Sequence, residues 1–497
     1  ALLPRPLSLA LLLPRGYNHP MPTYAPEYQA ALDFLYSFID YSLTRNLRNA
    51  PEKFDLARME ALLEALGNPH RAYPVLHIAG TKGKGSTAAL MAAALQAEGY
   101  RVGLYTSPHL EDFAERIRIN GRPIPHADLP AVVERLKPCT ARIPNLTTFE
   151  LTTAAAFLYF ADRRVDVAVV EVGLGGRLDA TNVVQPLASV ITPISYDHTA
   201  ILGSTLAAIA GEKAGIIKPG VPVIVAPQPP EARRRILAVA AGRGAPVVEV
   251  GRDWLYAPVA RSLDGQVLFV WHAAEQPLVD AFVESGGFQE WEPTRLRIPL
   301  LGPHQVVNAA TAYAALQTAR RQGLQVSQEA IRRGFPAARW PGRFEVLHRN
   351  PPLVIDGAHN RAAARQIRLT VDEYFPGWPV VLVFGASADK DIRGMLEALA
   401  PRARRIIVTR ARHPRAAEPA DLRAEVHRLG RAAQAFPDVE DALRVAFREA
   451  AGEAVILVTG SLFVAAAARS VWRRARLASS RWQPLSTLHI SASSGGL

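Results

Sequence analysis

Residues His77–Thr87 read HIAGTKGKGST, and the meaning of this stretch decides the fold. An apolar run, PVLHIAG (74–80), leads into it, and an alanine- and leucine-rich run, STAALMAAALQAEG (86–99), leads out. Strand, glycine–lysine turn, helix is the order a phosphate site requires, because glycines let backbone N–H groups turn toward an anion at the helix N-terminus. The usual pattern is G-x-x-x-x-G-K-[ST], in which the hydroxyl after the lysine reaches Mg²⁺. Here Gly83-Lys84 is followed by Gly85, and the first glycine, Gly80, falls two residues late. Ser86 is the local candidate for the metal hydroxyl, one residue beyond the usual place. The loop alone leaves the metal ligand open.

Outward from the loop, apolar strands alternate with helices, the mark of a parallel sheet covered on both faces. RVGLYTSPHL (101–110) runs into Ser107, VDVAVVEVGLGGRLDATN (165–182) carries Glu171, and LASVITPISYDH (187–198) delivers Asp197 and His198. Ligands of open α/β sheets bind beyond the carboxyl ends of the strands, so Ser107, Glu171 and His198 could converge on Lys84. Taken singly, Ser107 could merely cap a turn, and His198 could be a satisfied surface histidine. Glu171 is stronger, since an acid ending an apolar strand is costly unless it binds something. GLGGRL (173–178) fails as a dinucleotide fingerprint, because Leu178 stands where glycine is needed.

LGSTLAAIAGEKAGIIKPGVPVIV (202–225) predicts a helix with Lys213 near its C-terminal end, then a strand. Residues 246–300 turn less regular, with short alternating β segments, before the helical stretch LGPHQVVNAATAYAALQTA (301–319). Trp-Pro-Gly in RWPGRFEVL (339–347) marks a turn between two compact regions. Strand–helix alternation then restarts with PPLVIDGAHN (351–360), VVLVFGASADKD (380–391), RRIIVTRARHPRA (404–416) and AVILVTGS (454–461). Its ligand edge would carry Asp356, His359, Lys390, Arg415 and Ser461. The expected division is 27–337, a linker at 338–343, and a smaller α/β domain at 344–478. A disordered or miscalled extension is expected over 1–26 and a disordered tail over 479–497.

Composition excludes several classes. At 497 residues, with 49% hydrophobic and 21% charged, the chain fits a globular protein of two or three domains. No run approaches the roughly 18 apolar residues of a membrane helix. Cys139 is the only cysteine, which rules out an internal disulfide and suits a reducing, cytoplasmic setting. The net charge of +12 is spread over scattered arginines without a basic stripe interleaved with aromatics, so no nucleic-acid partner is expected. Among 57 Lys+Arg only seven are lysine: Lys53, Lys82, Lys84, Lys137, Lys213, Lys218 and Lys390. In so arginine-rich a chain, a lysine marks a place where a compact amine serves and a guanidinium does not.

In order, HIAGTKGKGS, TSPHL, TTFELTT, EVGLGGRLDATN, SYDH, EKAGIIKPG, GPHQVVNA, WPGRFE, DGAHN, DKDIRGML and TGS resemble the folylpolyglutamate synthase/dihydrofolate synthase family of the Mur ligase superfamily. The resemblance spans about residues 27–475. It implies an α/β, phosphate-loop ATPase domain, a smaller Rossmann-like C-terminal domain, and an active site in the cleft between them. Implied with it is ATP-dependent joining of L-glutamate to a folate or dihydropteroate carboxylate through an acyl phosphate, by a monomer.

The resemblance also implies residue roles. ATP would lie on Gly83, Lys84, Gly85, Ser86, Asn308, Arg343 and Asp356, and Mg²⁺ would be held by Ser107, Glu171 and His198. Histidine is an unusual ligand for Mg²⁺, which prefers oxygen. Lys213 resembles the family lysine that is carbamylated and would serve a second Mg²⁺; room remains for a monovalent cation. The pterin-bearing substrate would contact Thr147, Thr148, Phe149, Glu150, Leu178, Asp179 and Ala180. His359, Lys390 and Ser461 are candidates for glutamate from their place on the second domain's edge, with Lys84, Lys213 and His359 the catalytic set. The rival readings are a peptidoglycan-precursor ligase and a phosphate-loop kinase or NTPase of another class. SPHL and TTFE favour folate over the first, and DGAHN and TGS have no place in the second.

Overall fold

Val75–Ala79 (β1) is buried at every residue, as are Val167–Glu171 (β5) and Ala188–Ile191 (β6). Strands covered on both faces read as unbroken apolar runs, which is why these three did not alternate. The structure is a computed structural model that describes residues 24–38, 55–287 and 291–480. Expectations for the two chain ends fall largely outside those residues. With Val102–Tyr105 (β2), Ile117–Ile119 (β3), Arg122–Pro123 (β4), Val223–Val225 (β7) and Val247–Glu249 (β8), these strands make one sheet in the order β4-β3-β2-β5-β1-β6-β7-β8. It is parallel except at one edge, where β3 pairs antiparallel with β2 and β4.

Register sets the site. Ile78 lies opposite Glu171, Ala79 opposite Ile191, and Tyr105 opposite Val170. The segments after β1, β2, β5 and β6 therefore leave the sheet at one edge, which brings Lys84, Ser107, Glu171 and His198 to the same side. Behind that edge the helix Lys84–Glu98 packs against the helices Pro303–Arg321 and Gln328–Ala337. A Cβ on Gly334 would stand 2.4 Å from the Ala94 Cα, so only glycine lets these backbones approach.

The irregular region of the sequence resolves into Trp254–Ser262 (β9), Gly265–His272 (β10) and Thr294–Ile298 (β11), an antiparallel sheet ordered β11-β10-β9. The second α/β domain holds Glu345–Arg349 (β12), Pro352–Ile355 (β13), Val380–Phe384 (β14), Ala403–Val408 (β15), Gln434–Ala435 (β16) and Val455–Thr459 (β17). Their order is β12-β13-β17-β14-β15-β16, parallel but for β12, with an apolar cluster on each face. At the turn between domains Gly342 and Phe344 both have positive φ, +73° and +43°. A bulky residue seldom adopts that region; here Phe344 is buried and its N–H donates to Asp356 Oδ2 at 2.7 Å.

Candidate active site

Gly83 caps the helix Lys84–Glu98 in the left-handed conformation, φ +87°. The loop is built for close approach: a Cβ on Gly83 would sit 2.2 Å from Asn308 Oδ1, and one on Gly85 would sit 2.4 Å from the Trp340 ring. Asn308 is itself oriented by donating Nδ2–H to Gln305 Oε1 at 2.9 Å. The first-turn N–H groups have no partner within the helix, so this cradle offers donors to an anion. Lys84 Nζ lies 3.8 Å from Glu171 Oε1, and the Ser107 N–H donates to Glu171 Oε2 at 3.3 Å. Burial pushes the Glu171 carboxyl up, against Lys84 and the Ser107 amide. A buried carboxylate so thinly partnered has lone pairs to offer a cation, so the donor set fits Mg²⁺ if phosphate oxygens complete it.

Lys213 ends the helix Leu206–Ala214 and is 5% exposed, with no hydrogen bond or ion pair to its amine among the described residues. Burial, then the charge of Lys84, brings it down to about 7. Its position is fixed by the glycine turn that failed as a fingerprint. The Arg177 N–H donates to Glu212 O at 2.8 Å, and a Cβ on Gly176 would be 2.8 Å from the carbonyls of both Glu212 and Lys213.

Asp197 is where the two domains meet. Its carboxylate faces Lys82 Nζ at 3.3 Å and His198 Nε2 at 3.8 Å from its own domain. From the second domain come His359 Nε2 at 3.6 Å, Lys390 Nζ at 3.6 Å and Asn360 Nδ2 at 3.0 Å. Burial alone would raise this carboxyl, but His359, Lys82 and His198 hold it well below the usual range. Burial lowers Lys82 to about 8, against the pull of Asp197. His198 adopts φ +50°, an uncommon conformation for histidine, and burial lowers it to about 4. Among the described residues no three His, Cys, Asp or Glu side chains gather as a metal cluster; a set of Ser107, Glu171 and His198 holds only two residues of those types.

The other expected ATP contacts lie nearby. Asp356 accepts from the Phe344 and Ala358 N–H groups, both at 2.7 Å, while burial raises its carboxyl against the charge of Arg343. A Cβ on Gly357 would be 2.7 Å from Arg343 Nη1, so the guanidinium lies over that turn. Ser461 accepts from the Phe463 N–H at 3.2 Å at the start of the helix Leu462–Ser480, and its backbone faces Ala465.

The residues expected around a pterin divide in two. Thr147 and Glu150 form a reciprocal capping box for the helix Thr148–Asp162, and Glu150 also accepts from Arg58 at 3.2 Å. Thr148 donates to Leu35 O at 3.0 Å, and Asp179 accepts from the Leu174 and Thr181 N–H groups. Those four, with Ala180, are buried in the fold. Phe149 and Leu178 keep exposed surface, and the Phe149 ring lies against Gly173, where a Cβ would be 2.3 Å away.

Comparison with known proteins bears on this arrangement. The Mur ligase middle domain matches residues 78–316, and the Mur ligase glutamate ligase domain matches 342–462. A dihydrofolate synthase/folylpolyglutamate synthase of Bacillus subtilis is 37% identical over 415 residues, 82% of this chain and 92% of the relative. The chain belongs to the folylpolyglutamate synthase/dihydrofolate synthase family. The structure of Escherichia coli FolC in complex with DHPP and ADP superposes with a TM-score of 0.77 at 32% identity, covering 92% of this chain and 100% of that one. Mycobacterium tuberculosis folylpolyglutamate synthase complexed with ADP and AMPPCP superposes at 0.75 with 36% identity, covering 84% and 95%.

Against this family background, Asp197, Lys82, Asn360 and Trp340 are the site residues that sequence reasoning left without a role. Lysine scarcity marked Lys82, and SYDH contains Asp197. Nothing in one sequence signals that both face the second domain's DGAHN.

Proposed function

We propose that this protein joins the amine of L-glutamate to a carboxylate of a folate or dihydropteroate, driven by ATP. Family membership across most of the chain carries the reading, and two polar sheet edges meeting at Asp197 support a reaction between the domains. In this scheme the substrate carboxylate attacks the γ-phosphorus, the bond to the β-phosphate oxygen breaks, and ADP leaves an acyl phosphate. The glutamate amine then forms the amide bond, and phosphate departs with the second amine proton. Lys84 meets the developing phosphoryl charge, and the glycine cradle with Asn308 and Arg343 aligns the nucleotide. Ser107 and Glu171 would hold Mg²⁺, with His198 the weakest member on chemical grounds; the ion would neutralise phosphate charge. The free, buried amine of Lys213 supports a carbamate there, whose oxygens would suit a second cation. Phe149 offers a stacking face for a pterin. Lys390 and Ser461 are the candidates for the glutamate carboxylates.

The experiment is an ADP-release assay with ATP and glutamate, comparing dihydropteroate, tetrahydrofolate and a uridine-linked muramyl acceptor. Turnover with either pterin is expected. Turnover only with the muramyl acceptor would overturn the folate reading, and the ratio of the two pterins tells first from later glutamate addition.

A further inference from the structure

The incoming glutamate presents an ammonium group at neutral pH, and an ammonium has no lone pair with which to attack. Something must remove a proton in the cleft. His359 has the geometry. Its Nδ1 lies 2.9 Å from the Gly357 carbonyl oxygen, which can only accept, so Nδ1 carries the hydrogen. In the neutral ring Nε2 is then the bare nitrogen, and it is the one turned to the domain interface, 3.6 Å from Asp197 Oδ2. The side chain keeps 39% of its surface. The charged groups around it are Lys82, Asp197 and His198 from the first domain and Lys390 from its own; Asn360 adds an amide. Lys82, then burial, disfavours a protonated ring, Asp197 and the Gly357 carbonyl favour one, and the balance falls below an ordinary histidine.

We propose that His359 is the general base that takes a proton from the glutamate ammonium, and that Asp197, across the domain interface, stabilises the imidazolium formed. This rests on the acyl-phosphate reading above. The proton moves from the glutamate nitrogen to Nε2 as an N–H bond breaks and a ring N–H forms. The freed lone pair attacks the acyl carbon, the second amine proton leaves with phosphate, and the ring proton returns to water on product release. Base and counter-charge belong to different domains, so the base is competent only when the domains are together.

Hydroxylamine separates this role from others, because it is uncharged at neutral pH and attacks acyl phosphates without a base. His359→Gln should lower kcat at saturating glutamate by about 10²-fold or more, the usual contribution of a general base. Hydroxamate formation from ATP, folate substrate and hydroxylamine should stay near wild type, which also reports an intact fold. Asp197→Asn should lower the ratio of glutamyl product to hydroxamate in the same direction. Equal loss of both products in His359→Gln, or a rise in the glutamate KM with kcat unchanged, overturns the proposal. No hydroxamate from the wild-type enzyme would overturn the acyl-phosphate reading itself, and this inference with it.

Discussion

Lys213 shows what a single amine can do that a guanidinium cannot. Among the described residues no ion pair reaches its amine, and burial, against the charges of Asp197 and Asp179, lowers it to about 7, so the free amine predominates above that pH. Only a free amine takes up CO₂, so carbamate formation should rise with pH through about 7. Lys213→Arg keeps charge and approximate length yet should lose activity, on the order of 10²-fold, the size of losing one electrostatic stabiliser. Rates measured with and without added bicarbonate check this; an arginine variant equal to wild type in both would sink the carbamate. A second titration concerns stability. His77 is fully buried and lowered to about 3, mainly by burial, whereas the unfolded chain titrates near 6.5. A group depressed in the folded state contributes its stability above the unfolded value and loses it as pH falls. The unfolding free energy from urea titration should therefore drop from pH 7 to pH 5, by up to about 1.4 kcal/mol per pH unit for one such group. A flat profile over that window would contradict the burial of a neutral ring. Glu171 and Lys213 were legible as single residues because each breaks a local rule, an acid on an apolar strand and a rare lysine. For Glu150 the sequence did not show that a capping box and Arg58 engage the carboxylate that the resemblance assigns to the pterin.

The strand–loop–helix units were legible for a physical reason: both-face burial forces apolar runs, and glycine punctuates the turns at their ends. The turn GLGGRL has a use the sequence did not reveal. Its Gly176 is needed for packing against the end of the helix Leu206–Ala214, and on the facing side a Cβ on Gly215 would lie 2.4 Å from the Arg177 Cα. A backbone atom cannot rotate away as a side chain can. Gly215→Ala should therefore destabilise by about 1–3 kcal/mol, as overpacking does, and displace Lys213 with it. Chemical denaturation together with ligase rate measures both, and a variant with wild-type stability would show that the turn is loose. The sheet formed by β9, β10 and β11 was legible only as alternation, because a small antiparallel sheet pairs by register between distant segments. Trp340 against Gly85 was illegible for the same reason.

Across the whole molecule the domains are joined by ion pairs on two sides. Arg261 meets Glu373 at 2.9 Å and Arg349 meets Asp264 at 2.5 Å beside the β9–β10 hairpin. On the other side Glu111 reaches from the first domain to Arg469 and Arg473 on the helix Leu462–Ser480, both at 3.0 Å, and Arg469 also binds Glu345 at 3.1 Å. Ion pairs open to solvent contribute only about 0–1 kcal/mol each; Arg349–Asp264 is such a pair, whereas Arg469–Glu111 is half-buried. A closure equilibrium is more sensitive, because the apparent affinity falls by the fraction of closed form lost. Glu111→Lys turns two attractions into two repulsions, so a cost of one to two kcal/mol, a factor of about 5–30, is the scale to expect. The prediction is a rise of that order in the KM for ATP and glutamate at low salt, with the urea midpoint unchanged. Added salt should shrink the gap between variant and wild type, since exposed charges are screened. Arg473→Ala removes one attraction without adding repulsion and should fall between them. If Glu111→Lys binds both substrates as wild type does, the pairs merely decorate a joint that the linker and Asp197 already hold shut.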